Sequence, residues 1–138
     1  MLIASFPGAA YLKRALPNRP FDRGTTDDAY SHFLPTRFDE DAAALITYAP
    51  RAAGVERPVQ VSEPLVLATI IESEHGWAIP LGNFTGKALG RVDLRILDAA
   101  RFSGIESVAG ADLYTQPDGA DRLITLPIDT IDVLLLRP

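Results

Sequence analysis

The side chains that could do chemistry in this chain are few and scattered. It has no cysteine, which removes disulfides, thiolate metal ligands and Cys nucleophiles together. Its two histidines, His32 and His75, stand far apart, with no spacing that would bring them to one metal ion. Glu72 and Glu74 flank a turn and form the kind of pair that can share acid–base work, but beside His75-Gly76 they read as a solvated turn. Ser5, Ser31, Ser62, Ser73, Ser103 and Ser107 lie in no Gly-x-Ser-x-Gly elbow. Gly82-Asn83-Phe84-Thr85-Gly86 lacks the Lys-Ser/Thr pair and the following helix of a phosphate loop. Asn83-Phe84-Thr85 matches a glycosylation sequon, yet its structural reading is the better one: Asn83 and Thr85 bond the loop backbone while Phe84 folds over the core edge. The expectation is therefore no catalytic residue, no cofactor and no metal.

Aromatic rings remain, and these can stack on the apolar faces of sugars while carboxylates accept hydroxyl protons. The candidates for carbohydrate contact are Trp77, Tyr114, Tyr30 and Phe33. The last two belong to a polar stretch, Asn18–Phe38, that reads first as a surface loop pinned by aromatic anchors and second as a carbohydrate-contacting or interdomain loop. A net charge of −5 with dispersed Lys and Arg argues against a nucleic-acid partner, which needs clustered positive charge. No apolar run approaches the roughly 20 residues of a membrane span. The opening residues lack the basic region of a signal peptide.

The elements that would position these groups change character along the chain. Leu2–Ser5 predicts a short buried strand without a visible partner, Pro7-Gly8 a break, and Ala9–Leu16 two turns of helix ended by Pro17. Asp39–Ala49 predicts the best helix: Asp39 caps it, Glu40 and Asp41 face the dipole, and Ala42, Leu45, Ile46 and Ala49 share one side for burial. Pro50 is expected to stop or kink it and Gly54 to end the segment. Residues 1–60 thus read as a strand-helix-loop-helix segment, the remnant of an α/β domain.

Residues 61–138 read as an antiparallel, immunoglobulin-like β-sandwich. Leu65–Ile71 is almost continuously apolar, as in a central strand covered on both faces. Glu74-His75-Gly76 supplies a tight turn. Trp77, Ile79 and Leu81 then alternate with small residues, and Pro80 places that strand at an edge or bulge. Val92, Leu94 and Ile96 alternate with Arg91, Asp93 and Arg95, the pattern of a half-exposed strand. Short strands follow at Ile105–Val108, Leu113–Gln116, Arg122–Leu126 and Ile131–Leu136, with a turn at Pro117-Asp118-Gly119. Connections this short leave no room for parallel crossovers.

The run Ile71-Glu72-Ser73-Glu74-His75-Gly76-Trp77-Ala78-Ile79-Pro80-Leu81-Gly82-Asn83-Phe84-Thr85-Gly86 resembles the C-terminal β-sandwich of β-galactosidase-like glycoside hydrolases. The ending, Leu126–Arg137, looks like the last strand of such a domain, with Pro80-Leu81-Gly82 as one departure. Phe6-Pro7-Gly8-Ala9-Ala10-Tyr11-Leu12 is similar to the close of the amidotransferase-like, trimerisation-type domain that precedes it. The resemblance implies a non-catalytic accessory piece, since the hydrolytic carboxylates of that family sit on a barrel upstream. Its partners would be an upstream catalytic domain or like subunits, through interdomain packing or oligomer stabilisation. The alternative is a carbohydrate-binding module using its exposed aromatics.

Overall fold

The computed structural model describes residues 40–138, so the Leu2–Ser5 strand, the Ala9–Leu16 helix, Tyr30, His32, Phe33 and the Asp39 cap lie outside the described residues. The chain divides into two compact units, Met1–Glu56 and Arg57–Pro138.

In the first unit, helix α1 spans Glu40–Ala52 and carries Glu40 and Asp41 in its first turn, where the dipole favours negative charge. It does not stop at Pro50 but continues to Ala52 with the proline inside. Pro50 withholds a single donor, and the carbonyls beyond it are tied off locally. Val55 N–H donates to the Pro50 carbonyl at 2.9 Å and Gly54 N–H to the Arg51 carbonyl at 3.0 Å. This is a Schellman closure, and Gly54 adopts the φ of +71° that it requires. Leu45 and Ile46, expected on a buried face, are exposed. Helical periodicity marks a side fit for burial; only a packing partner buries it.

The second unit holds nine strands: β1 (Val59–Val61), β2 (Val66–Ala68), β3 (Ile71–Ser73), β4 (Gly76–Asn83), β5 (Leu89–Ile96), β6 (Gly104–Ser107), β7 (Tyr114–Asp118), β8 (Asp121–Ile128) and β9 (Ile131–Arg137). Every pairing is antiparallel. One sheet runs β1-β5-β8-β7; the other runs β2-β4-β9-β6, with β3 also pairing β4. The unit is a β-sandwich. Trp77, Ile79 and Leu81 of β4 and Leu134 and Leu136 of β9 meet Val92, Leu94 and Ile96 of β5 and Ile124, Leu126 and Ile128 of β8 in one buried core. Each such side chain contributes about 1.5–3 kcal/mol on leaving water. Strict alternation sets which residues do so, because a strand's neighbours point to opposite faces.

Three expectations are corrected. The apolar run Leu65–Ile71 is not one central strand; it supplies β2 and the start of β3, both at a sheet edge on β4, with Leu67 and Ile71 exposed. Conversely β4, expected at an edge, lies between these segments and β9. The reconciliation is Pro80. Ala68 pairs Leu81 and Ile71 pairs Ala78, so the break between β2 and β3 falls opposite a residue with no N–H to give the ladder. Pro117 is not in a turn but within β7, an edge strand that tolerates it. The turn is Gly119-Ala120, closed by the pairing of Asp118 with Asp121.

Candidate functional site

The two outer faces of the sandwich differ in chemistry, and the polar one is built by the β1-β5-β8-β7 sheet. Antiparallel register aligns its outward side chains in rows across the strands. Tyr114 pairs with Thr125 and Thr125 with Asp93, while Ser62 N–H donates to the Asp93 carbonyl at 2.9 Å. The neighbouring row is Gln116, Leu123, Arg95 and Gln60. Together they line an open cleft of about 740 Å³, within the range of roughly 300–1,000 Å³ that small-ligand sites occupy.

Hydrogen bonds hold this surface in place. Asp93 accepts from the Thr125 hydroxyl at 2.6 Å and from Arg91 Nε at 3.1 Å. Its own N–H donates to Ser62 Oγ at 3.0 Å. Arg95 bridges Asp121 at 2.7 Å and Asp118 at 3.4 Å. The Thr125 hydroxyl first, and the Arg91 guanidinium second, hold the Asp93 carboxyl below the usual carboxylate range, against a smaller opposing effect of desolvation. Asp93 is therefore ionised at neutral pH and is no proton donor. Because its folded pKa is depressed, its stabilising contribution is present above the unfolded carboxylate pKa and lost as pH falls through the folded one. A carboxylate NMR titration is expected to show the Asp93 pKa rising towards the ordinary value in Thr125→Val. An unchanged titration would remove Thr125 as the main cause.

The opposite face, on the β2/β3-β4-β9-β6 sheet, is apolar. Register again assigns it: Leu67 and Ile131 flank Gly82, Val133 pairs with Pro80, and Ile71 and Leu135 flank Ala78. Val108 continues it, its N–H donating to the Val133 carbonyl at 2.9 Å. Small residues on β4 thus form a valley between a β2/β3 ridge and a β9 ridge. The Phe84 ring lies over its Gly82 end. Leu67, Ile71, Val108 and Ile131 are each more than half exposed. The Arg137–Glu106 ion pair, at 2.7 Å, sits at the other end.

Of the expected carbohydrate-contacting residues, Tyr114 lies exposed on the polar face. Trp77 does not serve as a platform: it is 9% exposed in the core, 4.9 Å from the Phe102 ring, with the Arg101 guanidinium 4.9 Å above it. Tyr30 and Phe33 fall outside the described residues. Glu74 and His75 form an exposed pair at 3.4 Å in the β3–β4 turn, away from the residues that line the polar cleft. Among the described residues no three His, Asp or Glu side chains converge as metal ligands, and no helix is long and apolar enough to cross a membrane. The Asn83 loop forms as expected: Asn83 Nδ2 donates to the Lys87 carbonyl at 2.8 Å and to the Asp129 carbonyl, while Asn83 Oδ1 accepts from Thr85 N–H at 3.0 Å. An amide nitrogen so engaged is a poor glycan acceptor.

Sequence reasoning passed over Gln60, Ser62, Asp93, Gln116 and Thr125 as site residues. The one signal available was the exposed face of β5, and it carries no information about which strands lie beside it. Comparison of the chain with protein families, with curated proteins and with solved structures returned no match. What the fold and its faces define is a class: a β-sandwich with one polar, clefted sheet face and one exposed apolar sheet face.

Proposed function

We propose that the sandwich is a non-catalytic accessory module that stabilises an oligomer, its apolar sheet packing face to face on the same sheet of a second copy. The carrying observation is the contiguous surface of Leu67, Ile71, Pro80, Val108, Ile131, Val133 and Leu135. Exposed apolar patches of this kind mark association surfaces. The relief favours a like partner. A valley of Ala78, Pro80 and Gly82 beside a ridge of Ile131, Val133 and Leu135 is self-complementary about a twofold axis, each copy's ridge entering the other's valley. Two sheets pack in this way at about 10 Å. It is also the accessory role implied by the resemblance to the C-terminal sandwiches of β-galactosidase-like hydrolases.

Methyl NMR of the full chain with a neutral paramagnetic probe tests the reading. The Leu67, Ile71, Ile131 and Val133 methyls are expected to be shielded at high concentration and accessible on dilution, with the Leu123 and Thr125 methyls of the polar face accessible throughout. Accessibility of all of them at both concentrations would contradict it, as would shielding that survives dilution.

A further inference from the structure

The polar sheet face has features that the packing role does not use. Its charges are mutually engaged: Arg91 is held by Asp93, and Arg95 by Asp118 and Asp121. Three carboxylates against two guanidinium groups leave no excess of positive charge for an anion, and each guanidinium already gives its Nε and one terminal amino group to carboxylates. A cation would find each carboxylate already paired, because Asp93 accepts from Thr125 and Arg91, Asp121 accepts from Arg95 and from Asp98 N–H, and Asp118 faces Arg95 at 3.4 Å.

Beside these pairs stand neutral groups with capacity to spare. Gln60 and Gln116 each present a carboxamide that both donates and accepts. The Ser62 hydroxyl accepts from Asp93 N–H, which leaves its own proton to give. The Thr125 hydroxyl donates to Asp93, which leaves its lone pairs to accept. Tyr114, 66% exposed, offers an apolar ring face with a polar tip. Fixed neutral donors and acceptors beside an open aromatic ring match a neutral ligand with many hydroxyls and apolar C–H faces. A purely apolar ligand would leave the ion pairs desolvated and uncompensated.

We infer that the cleft lined by Gln60, Ser62, Asp93, Tyr114, Gln116 and Thr125 binds a neutral oligosaccharide, with a sugar ring on Tyr114 and its hydroxyls on the amides and hydroxyls of the adjoining rows. The site is on the opposite sheet from the packing surface, so either reading can fail alone.

The test is a titration of the full chain, followed by amide NMR, with β-1,4-linked hexasaccharides of glucose, xylose, mannose and galactose, and with polygalacturonate as the charged comparison. The expected result is saturable binding of at least one neutral hexasaccharide, unaffected by salt, with shifts confined to β1, β5, β7 and β8. Tyr114→Ala is expected to weaken it at least about tenfold, the scale for losing an aromatic anchor. Gln60→Ala is expected to weaken it less. Both residues are exposed on edge strands, and an unchanged melting temperature would show that the loss belongs to binding. No affinity better than about 10 mM for any of the four neutral ligands would overturn the proposal. Preferential, salt-sensitive binding of polygalacturonate, or binding indifferent to Tyr114→Ala, would also overturn it.

Discussion

Gly76→Ala is expected to destabilise the sandwich by about 3 kcal/mol or more, from two costs that add. Gly76 opens β4 after the two-residue turn Glu74-His75, at a φ of +134° that L side chains rarely adopt. A Cβ there would also run into the backbone carbonyl oxygen of Leu136 in β9. That oxygen belongs to a fully buried core residue, so relief requires β4 and β9, the two inner strands of their sheet, to part at the end of their ladder where Trp77 pairs with Leu136. The turn contributes its own bonds: the Ser73 hydroxyl donates to the Gly76 carbonyl at 2.9 Å and accepts from His75 N–H at 3.2 Å. Urea unfolding followed by Trp77 fluorescence measures the loss as a lower midpoint at unchanged slope. Gly119→Ala is the control, at a φ of +63° with open space around it; it is expected to cost only about 1–2 kcal/mol. Equal costs at the two positions would mean that the contact with Leu136 does not matter.

The second large effect belongs to Asp132, the buried charged residue among those described. It points inward from β9, where alternation would place an aliphatic side chain. Its carboxylate accepts from the Ser107 hydroxyl at 2.6 Å, from Ala109 N–H at 3.0 Å and from Val133 N–H at 2.7 Å. Ser107 Oγ accepts in turn from Ala111 N–H at 2.8 Å, so Asp132 and Ser107 together anchor the connection out of β6 as far as Ala111. Asp132→Ala leaves those donors unpaired and is expected to cost about 3 kcal/mol. Asp132→Asn keeps an acceptor oxygen and is expected to cost less. Amide hydrogen exchange at Ala109 separates this account from simple loss of packing: protection should vanish in Asp132→Ala and persist in part in Asp132→Asn. Full protection in the alanine variant would contradict it.

The strands were legible wherever one face is buried and the other wet. Val92, Leu94 and Ile96, like Trp77, Ile79 and Leu81, report their burial through alternation alone. Trp77 is instructive, because the pattern that identified its strand also put its ring on the core side; reading it as a sugar platform set residue type above period. Strand position within a sheet was not legible. An apolar run such as Leu65–Ile71 looks the same whether both faces are covered or one awaits a partner, and Pro80 signals a missing donor without saying which neighbour goes without it. The polar cleft was hidden for a different reason. Its contacts join residues far apart in sequence, Arg95 to Asp121 and Asp93 to Thr125, and only the pairing of β5 with β8 brings them together. The apolar face escaped notice because Val133 and Leu135 alternate with the core residues Leu134 and Leu136, which are themselves apolar.

Sedimentation equilibrium of the full chain, alone and as Ile131→Glu, tests the packing role most directly. Ile131 is 73% exposed, so the substitution leaves the core untouched while placing a charge on the ridge. The account predicts a concentration-dependent rise to twice the chain mass of 14.9 kDa for the unmodified protein, and a single-chain mass for the variant. A chain that stays monomeric at every concentration, or a dimer that Ile131→Glu does not disturb, would contradict it.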